Sequence, residues 1–182
     1  NFLVASLMAI SASTGAATAL ELTAAHVNPP GEPANVSFAK LSALLSDSET
    51  GLDLKVFPQG QIGGETDAIQ QVQIGAITMT TVANANLSAF APSAGIYDIP
   101  FLFRDDHTHP WVVTDGEIGA KIEAKIEQEA NVEVLGWWSA GMRHVLTRDT
   151  TGNAVENFKD LKIRGIGSPV YIDTFNQIGA KA

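Results

Sequence analysis

The stretch Leu52–Ile74, LDLKVFPQGQIGGETDAIQQVQI, joins a predicted strand to a predicted helix through one short turn. Apolar and polar residues alternate over Leu52–Phe57, which is the period of a strand. Pro58–Gly64 is predicted to be a turn, because proline lacks an amide hydrogen and glycine adopts turn conformations. Glu65–Ile74 is predicted to be a helix, since its first turn carries acidic residues that the helix dipole favours. This strand–turn–helix order is typical of α/β proteins.

The alternation of strands and helices extends in both directions from this stretch. Upstream, Leu20–Val27 is predicted to be a strand, and the apolar residues of Ala34–Leu45 fall at helical spacing. Downstream, Ile77–Val82 is β-branched and apolar, which predicts a buried strand. Strands alternating with helices indicate a mostly parallel sheet with helices on its faces.

Further elements are predicted in the second half of the chain. Glu117–Ala130 is predicted to be a helix, and so is Pro169–Ile178, with proline in its first turn. Pro100 disfavours the helical region for Ile99. The other predictions are an extended segment at Ile96–Phe103, strands at Val132–Trp138, Val145–Arg148 and Lys162–Ile166, and a helical turn at Val155–Leu161.

Composition narrows the classes of function. The chain has 182 residues, 45% of them hydrophobic, which is enough to bury a good core. It contains no cysteine, which excludes disulfides and thiolate metal sites. The formal net charge is −9, and an acidic chain without a basic cluster argues against binding to nucleic acid or to an anionic membrane surface. An anion would therefore have to be bound locally, by a few well-placed cations.

Residues 1–19 are predicted to be a signal peptide. Phe2–Ile10 is an apolar stretch too short to span a bilayer, and Ala17-Thr18-Ala19 follows as a small-residue cleavage signature. A buried amphipathic helix fits poorly, because the stretch has no polar face. The Met and basic segment that normally begin a leader are missing, so truncation is expected at this end. The mature protein is expected to be exported and to begin at Leu20.

Arg164 is the first candidate for binding an anion. It ends the run Leu161-Lys162-Ile163-Arg164 and is followed by Gly165 and Gly167. Ligands of open α/β sheets bind beyond the carboxyl ends of strands. A guanidinium in that place can hold a carboxylate through two parallel hydrogen bonds, which an ammonium cannot do. The alternative is a solvated arginine that caps a strand.

Arg143 is the second candidate. It follows Trp137, Trp138 and a bend of small residues. Successive strand residues face opposite sides, so only one tryptophan can point to a cleft, and the sequence leaves open which one. A core position is the ordinary expectation for the other.

Three motifs suggest other chemistry but do not support it. Gly60–Gly64 lacks the Lys-Ser/Thr pair of a phosphate loop, so its glycines are predicted to serve a tight turn. The two histidines of Asp105–His109 are poorly spaced for a metal, and Asp105 or Asp106 is instead expected to cap a helix containing Pro110 and Trp111. Gly165–Pro169 is not a nucleophile elbow. The sequence therefore predicts no catalytic residue, no metal and no cofactor.

Several motifs occur in an order shared with a known family. They are Pro58–Glu65 (PQGQIGGE), Gln73–Met79 (QIGAITM), Phe90-Ala91-Pro92, Asp98–Phe103 (DIPFLF), Gly141-Met142-Arg143 and Phe158–Arg164 (FKDLKIR). In this order they resemble the solute-binding proteins of tripartite ATP-independent periplasmic (TRAP) transporters, DctP type. The resemblance runs over essentially the whole mature chain.

The resemblance implies a two-lobed α/β fold of the periplasmic-binding-protein kind, similar to type II. Residues 20–142 would form the first lobe, and residues 143–182 would begin a second lobe. Family members are considerably longer, so the second lobe is expected to be truncated and incomplete. The implied location is the periplasm of a Gram-negative-type bacterium.

The resemblance also implies a function and a set of site residues. The protein would capture a small organic acid and deliver it to the membrane subunits of a TRAP transporter, without making or breaking a bond. Arg164 corresponds to the family arginine that pairs with the ligand carboxylate, and Arg143 to a second one. Asn84 and Asn86 lie where family members place pocket residues, and Trp138 completes the predicted site.

Two other functions stay open at this point. A receptor for an ATP-driven importer, or a sensor, would share the lobes but not this order of motifs. A periplasmic hydrolase acting on a carboxylated substrate would need a nucleophile–base pair, which the sequence lacks. The sequence does not reveal which acid is bound or whether the protein is oligomeric.

Overall fold

A computed structural model of the chain describes residues 19–104, 109–148 and 154–182. The predicted signal peptide, apart from its last residue, and the predicted capping residues Asp105 and Asp106 lie outside them. Within the described ranges, no helix has both the length and the apolar character needed to cross a bilayer.

A three-stranded parallel sheet forms the base of the fold. Strand β1 (Leu20–Ala25) lies between β2 (Leu52–Phe57) and β3 (Met79–Thr80). Strands β1 and β2 pair along their whole length, from Leu20 opposite Leu52 to Ala25 opposite Phe57. The predicted strand Ile77–Val82 is thus confirmed only over two residues.

Helices α1 (Pro33–Ser46) and α2 (Glu65–Gln73) pack beside this sheet in separate apolar clusters. Ala24 belongs to the cluster that contains Phe38 of α1, whereas Ala25 belongs to the cluster that contains Ala68 of α2. Neighbouring residues of a strand face opposite sides of the sheet, so each alanine serves one layer. The predicted α/β arrangement is confirmed for this part of the chain.

A third apolar cluster lies around helix α5 (Glu117–Ala130). Ile126 and Ala130 of α5 are fully buried against Ala91 and Ala94; Ala91 precedes a 3₁₀ segment at Pro92–Asp98, and Ala94 lies within it. The small alanine side chains allow the two elements to approach closely. The other described helices are α3 (Asn84–Leu87), α4 (His109–Thr114) and α6 (Pro169–Gln177), with a second 3₁₀ segment at Val155–Phe158.

Four predicted extended segments are wrong wholly or in part. The structure assigns no strand to 132–138 or 145–148, and in 162–166 only Lys162 forms an isolated bridge, with Lys181. The predicted extended segment at Ile96–Phe103 begins inside the 3₁₀ segment, whereas Ile99, before Pro100, is extended as expected. A strand requires a neighbouring strand to which its backbone can form a ladder of hydrogen bonds. The amides of Val132 and Val134 bond instead to the carbonyl and the carboxylate of Glu127.

The predicted tight turn between β2 and α2 is confirmed. Gly60 has a φ of +69° and donates its amide to the His26 carbonyl at 3.0 Å. Gly63 has a φ of +118°, and a Cβ at this position would lie 2.6 Å from the Asp67 carboxylate. That carboxylate accepts from the Gly64 amide at 2.8 Å, so the absence of a side chain at Gly63 is a steric requirement.

Candidate ligand-binding site

A narrow cavity, too tight in this structure to admit a water molecule, lies at the carboxyl edge of the sheet. Each strand contributes residues at or just beyond its end, and helix α2 contributes its first turn. Ligands of open α/β sheets bind at this edge, because the strand ends and the following loops converge there. The lining includes His26, Phe57, Ile62, Glu65, Thr80 and Thr81.

His26 is the most buried polar side chain of this cavity lining. Its side chain follows β1, is 2% exposed and stacks on Phe38 with ring centroids 5.4 Å apart. Neither ring nitrogen has a hydrogen-bond partner among the described residues. Burial lowers the pKa of His26, and the nearby Glu32 carboxylate and the backbone of Asn28 offset this only in part. The imidazole is therefore favoured in its neutral form, with one donor and one acceptor.

Glu65 presents a carboxylate to the same cavity from the first turn of α2. Its Oε2 accepts from the Ala83 amide at 2.8 Å and from the Asn86 side-chain amide. Asn86, a predicted site residue, is thus brought to the edge of the cavity through Glu65. Glu65 Oε1 has no hydrogen bond to a described residue and can accept one from a ligand hydroxyl.

Asn84, another predicted site residue, is turned toward the protein interior. Its Nδ2 donates to the Ala94 carbonyl and to Asp98 Oδ1, both at 2.9 Å. Its Oδ1 is buried and has no partner among the described residues. Both amide hydrogens are thus used internally, so Asn84 links the Ala94 carbonyl to the Asp98 carboxylate.

The two predicted arginines are in different environments. The guanidinium of Arg143 lies over the ring of Tyr171, 5.7 Å from its centroid, and its charge acts on Asp98. Arg164 is exposed, and its side chain makes no hydrogen bond or ion pair with a described residue. Such a cation is free to bind an anion.

The structure also distinguishes the two tryptophans. Trp137 packs into the α5 cluster, where its ring meets Tyr97 with centroids 5.2 Å apart. Trp138 is 56% exposed and lies edge-on to Phe38 at 5.7 Å. Because Phe38 also stacks on His26, Trp138 extends the aromatic row that borders the cavity.

Sequence reasoning missed three residues of this region, namely His26, Glu65 and Asp98. His26 directly follows the last residue of β1, and Glu65 is the first residue of α2. Both therefore lie where a regular element meets a loop at the sheet edge, and this position is the signal that could have identified them. Asp98 is a charged residue at the start of an otherwise apolar run, DIPFLF. No cluster of three or more residues suited to a metal occurs in the described parts of the chain.

A family model confirms the resemblance seen in the sequence. The model for DctP, "Bacterial extracellular solute-binding protein, family 7", matches residues 24–182. The chain belongs to this family of TRAP periplasmic solute-binding proteins. The family consists of binding proteins and not of enzymes, which makes the hydrolase alternative wrong.

Individual relatives agree with this assignment. The 2,3-diketo-L-gulonate-binding periplasmic protein YiaO of Escherichia coli K12 is 31% identical over 178 residues, which are 97% of this chain and 53% of that protein. A TRAP periplasmic solute-binding protein of Citrobacter koseri with bound D-glucuronate is 36% identical with a TM-score of 0.81, over 88% of this chain and 54% of the other. A third, from Pseudomonas putida F1, also holds D-glucuronate and is 34% identical with a TM-score of 0.82, over 89% and 53%.

These similarities confirm the predicted periplasmic-binding-protein fold and the periplasmic location. The chain spans about half the length of the relatives it matches. The division at residue 142 and the roles of the individual site residues stay predictions.

Proposed function

We propose that the protein captures a small organic acid in the periplasm and delivers it to the membrane subunits of a TRAP transporter. The observation that carries this proposal is the pair of arginines. Arg164 bonds to no described residue, and Arg143 rests on an aromatic face. Two such guanidinium groups in a chain of net charge −9 are suited to a ligand that brings its own carboxylate.

Binding follows from the chemistry of these groups. Arg164 pairs with the ligand carboxylate through two parallel hydrogen bonds, and Arg143 adds a second positive charge. Closure of two lobes over the acid excludes water, which strengthens the charge pairing. Residues 20–142 would supply one lobe, and residues 143–182 would begin the other. The bound acid shifts the population toward the closed form, which docks on the membrane subunits.

We further propose a hydroxylated acid, such as a sugar acid, as the ligand. The cavity at the sheet edge offers the free Oε1 of Glu65 and the unpartnered nitrogens of His26. A carboxylate accepts hydrogen bonds from hydroxyls but repels a second carboxylate. Trp138 would border the ring of the ligand, and Asn86 would hold Glu65 in place. The uronate bound by the Citrobacter koseri relative supports this chemistry.

Calorimetry on the full-length product of the reading frame tests the proposal. D-glucuronate and D-galacturonate should bind, and succinate, which lacks hydroxyls, should bind at least about tenfold more weakly. Lys121→Gln is a matched control, because it removes a cation that pairs with Glu117 on the exposed face of α5. This variant should bind as the wild type does. Failure of every organic acid to bind would refute the proposed function.

A receptor for another importer, or a sensor, is the remaining alternative for the partner. The membrane subunits of a TRAP transporter lack an ATPase, so the genes beside this one distinguish the two. Reconstituted vesicles provide a functional test. Uptake of the acid should need this protein and an ion gradient but no ATP. Uptake that requires ATP would support the other importer class.

A further inference from the structure

Asp98 joins three segments that are distant in the sequence. It ends the 3₁₀ segment Pro92–Asp98 and is only 9% exposed. Its Oδ1 accepts from Asn84 Nδ2 at 2.9 Å, and its Oδ2 accepts from Ser168 Oγ at 3.1 Å. Ser168 is fully buried. Both carboxylate oxygens are therefore occupied inside the protein.

The bond to Ser168 fixes the start of helix α6. Ser168 is the N-cap residue of α6, but its hydroxyl donates to Asp98 and makes no capping bond to the helix. The Asp98 carboxylate thus lies beside a helix N-terminus, where the helix dipole favours negative charge. The first turn of α6 carries Tyr171, whose ring lies under the guanidinium of Arg143.

We propose that Asp98 is a positioning residue for Arg143. Asp98 acts on Arg143 through Ser168, helix α6 and Tyr171. This inference rests on the proposed function, in which Arg143 helps to bind the ligand carboxylate. Asp98 does not bind the acid itself, because it is buried, both of its oxygens are bonded and its charge would repel an anion. Its contribution is to hold the aromatic face on which Arg143 rests.

Two substitutions separate the hydrogen bonds of Asp98 from its charge. Asp98→Ala removes both bonds and should weaken D-glucuronate binding by about tenfold. Asp98→Asn is nearly isosteric: its carbonyl can accept from Asn84, and its amide can donate to Ser168, whose hydroxyl then accepts. Asp98→Asn should therefore recover most of the affinity that Asp98→Ala loses.

A hydroxyl deletion provides a second, matched comparison. Ser168→Ala should also weaken binding, and the double variant should lose little more than Asp98→Ala alone, because the bond that Ser168→Ala removes is already missing in Asp98→Ala. Ser93→Ala is the control. It also removes a hydroxyl bonded to a carboxylate, that of Glu129, at 2.8 Å. Its affinity should equal that of the wild type.

The readout must distinguish positioning from a loss of folded protein. Calorimetry on the full-length protein gives both the dissociation constant and the active fraction, and thermal unfolding gives the midpoint. A lower midpoint or active fraction with an unchanged dissociation constant in Asp98→Ala would overturn the proposal. The proposal would also be overturned if Asp98→Ala weakened binding as much in an Arg143→Ala background as in the wild type. In that background we expect Asp98→Ala to change the dissociation constant by less than about threefold. Wild-type protein that binds no acid would overturn the proposed function and this inference together.

Discussion

The imidazole of His26 lies parallel to the ring of Phe38, with the centroids 5.4 Å apart and the planes 6° apart. This stacking buries the His26 side chain without giving either nitrogen a described hydrogen-bond partner. The arrangement is tolerable for a neutral ring and costly for a charged one, because burial removes the hydration of the charge and the nearby Glu32 carboxylate offsets this loss only in part.

Acid should therefore destabilise the protein through His26. Burial places the folded-state pKa of His26 below its usual value of about 6.5, so the unfolded state binds more protons in this range. The stabilisation is present above about pH 6.5 and is lost as the pH falls through the folded-state pKa. Between about pH 7.5 and about pH 5, the thermal unfolding midpoint should fall more steeply in the wild type than in His26→Gln. Equal slopes would contradict the argument.

Asp98 should show the opposite dependence. Burial raises its pKa, and the hydrogen bonds from Asn84 and Ser168 and the charge of Arg143 offset this only in part. The folded state then binds the extra proton. The stabilisation of the folded state by this proton is complete below the usual pKa of aspartate, about 3.9. It is lost as the pH rises through the raised folded-state pKa of Asp98. The stability of Asp98→Asn relative to the wild type should increase from about pH 4 to pH 7, and a constant difference would be evidence against the shift.

Arg164→Lys keeps the charge and should still weaken binding of the acid. An ammonium cannot make the two parallel hydrogen bonds of a guanidinium, and the loss of charge-assisted bonds costs about 1.5–3 kcal/mol, or roughly ten- to a hundredfold in affinity. Calorimetry with D-glucuronate on the full-length protein measures this. Unchanged affinity would remove Arg164 from the site.

Gly63→Ala should destabilise the turn between β2 and α2 by about 1–3 kcal/mol. The φ of Gly63 is +118°, and an added Cβ would meet the Asp67 carboxylate at 2.6 Å. Gly64→Ala is the adjacent control, because its φ is −76° and its nearest contact would be 3.7 Å. Chemical denaturation of both variants should show a clear loss only for Gly63→Ala. Similar losses would mean that the steric argument fails.

Export should remove residues 1–19. The apolar stretch at Phe2–Ile10 and the small residues Ala17-Thr18-Ala19 predict cleavage before Leu20. N-terminal sequencing of the periplasmic protein should begin Leu-Glu-Leu-Thr. A protein that retains the apolar segment would contradict the prediction.

Local patterns predicted the elements that are stabilised by nearby residues. Leu52–Phe57 and Glu117–Ala130 form with the predicted bounds, because alternation and helical spacing reflect burial directly. The strand predicted at Val132–Trp138 fails for a different reason. Val132, Val134 and Trp137 are indeed covered, but by α5 and the 3₁₀ segment, and the amides of the two valines bond to Glu127 rather than to a ladder.

Sequence alone could propose candidate site residues only where a residue type implies its own partner, and the roles of these candidates stay predictions. A guanidinium implies an anion, so Arg143 and Arg164 could be selected from sequence. The bonding of Asn84 to Asp98, and that of Asp98 to Ser168, depends on contacts across 14 and 70 positions. No periodicity encodes such contacts, so the inward orientation of Asn84 required the structure.

The strand order also determines when the sheet can be completed. Strand β1 comes first in the chain but lies in the centre, and Thr23 meets Thr78 across 55 positions. A growing chain therefore holds its central strand without one of its neighbours until Thr80 has been made. Non-local pairing of this kind is slow, since the entropy of closing the loops must be lost before the contacts form. Until then, one edge of the central strand lacks the partner that its backbone amides and carbonyls need.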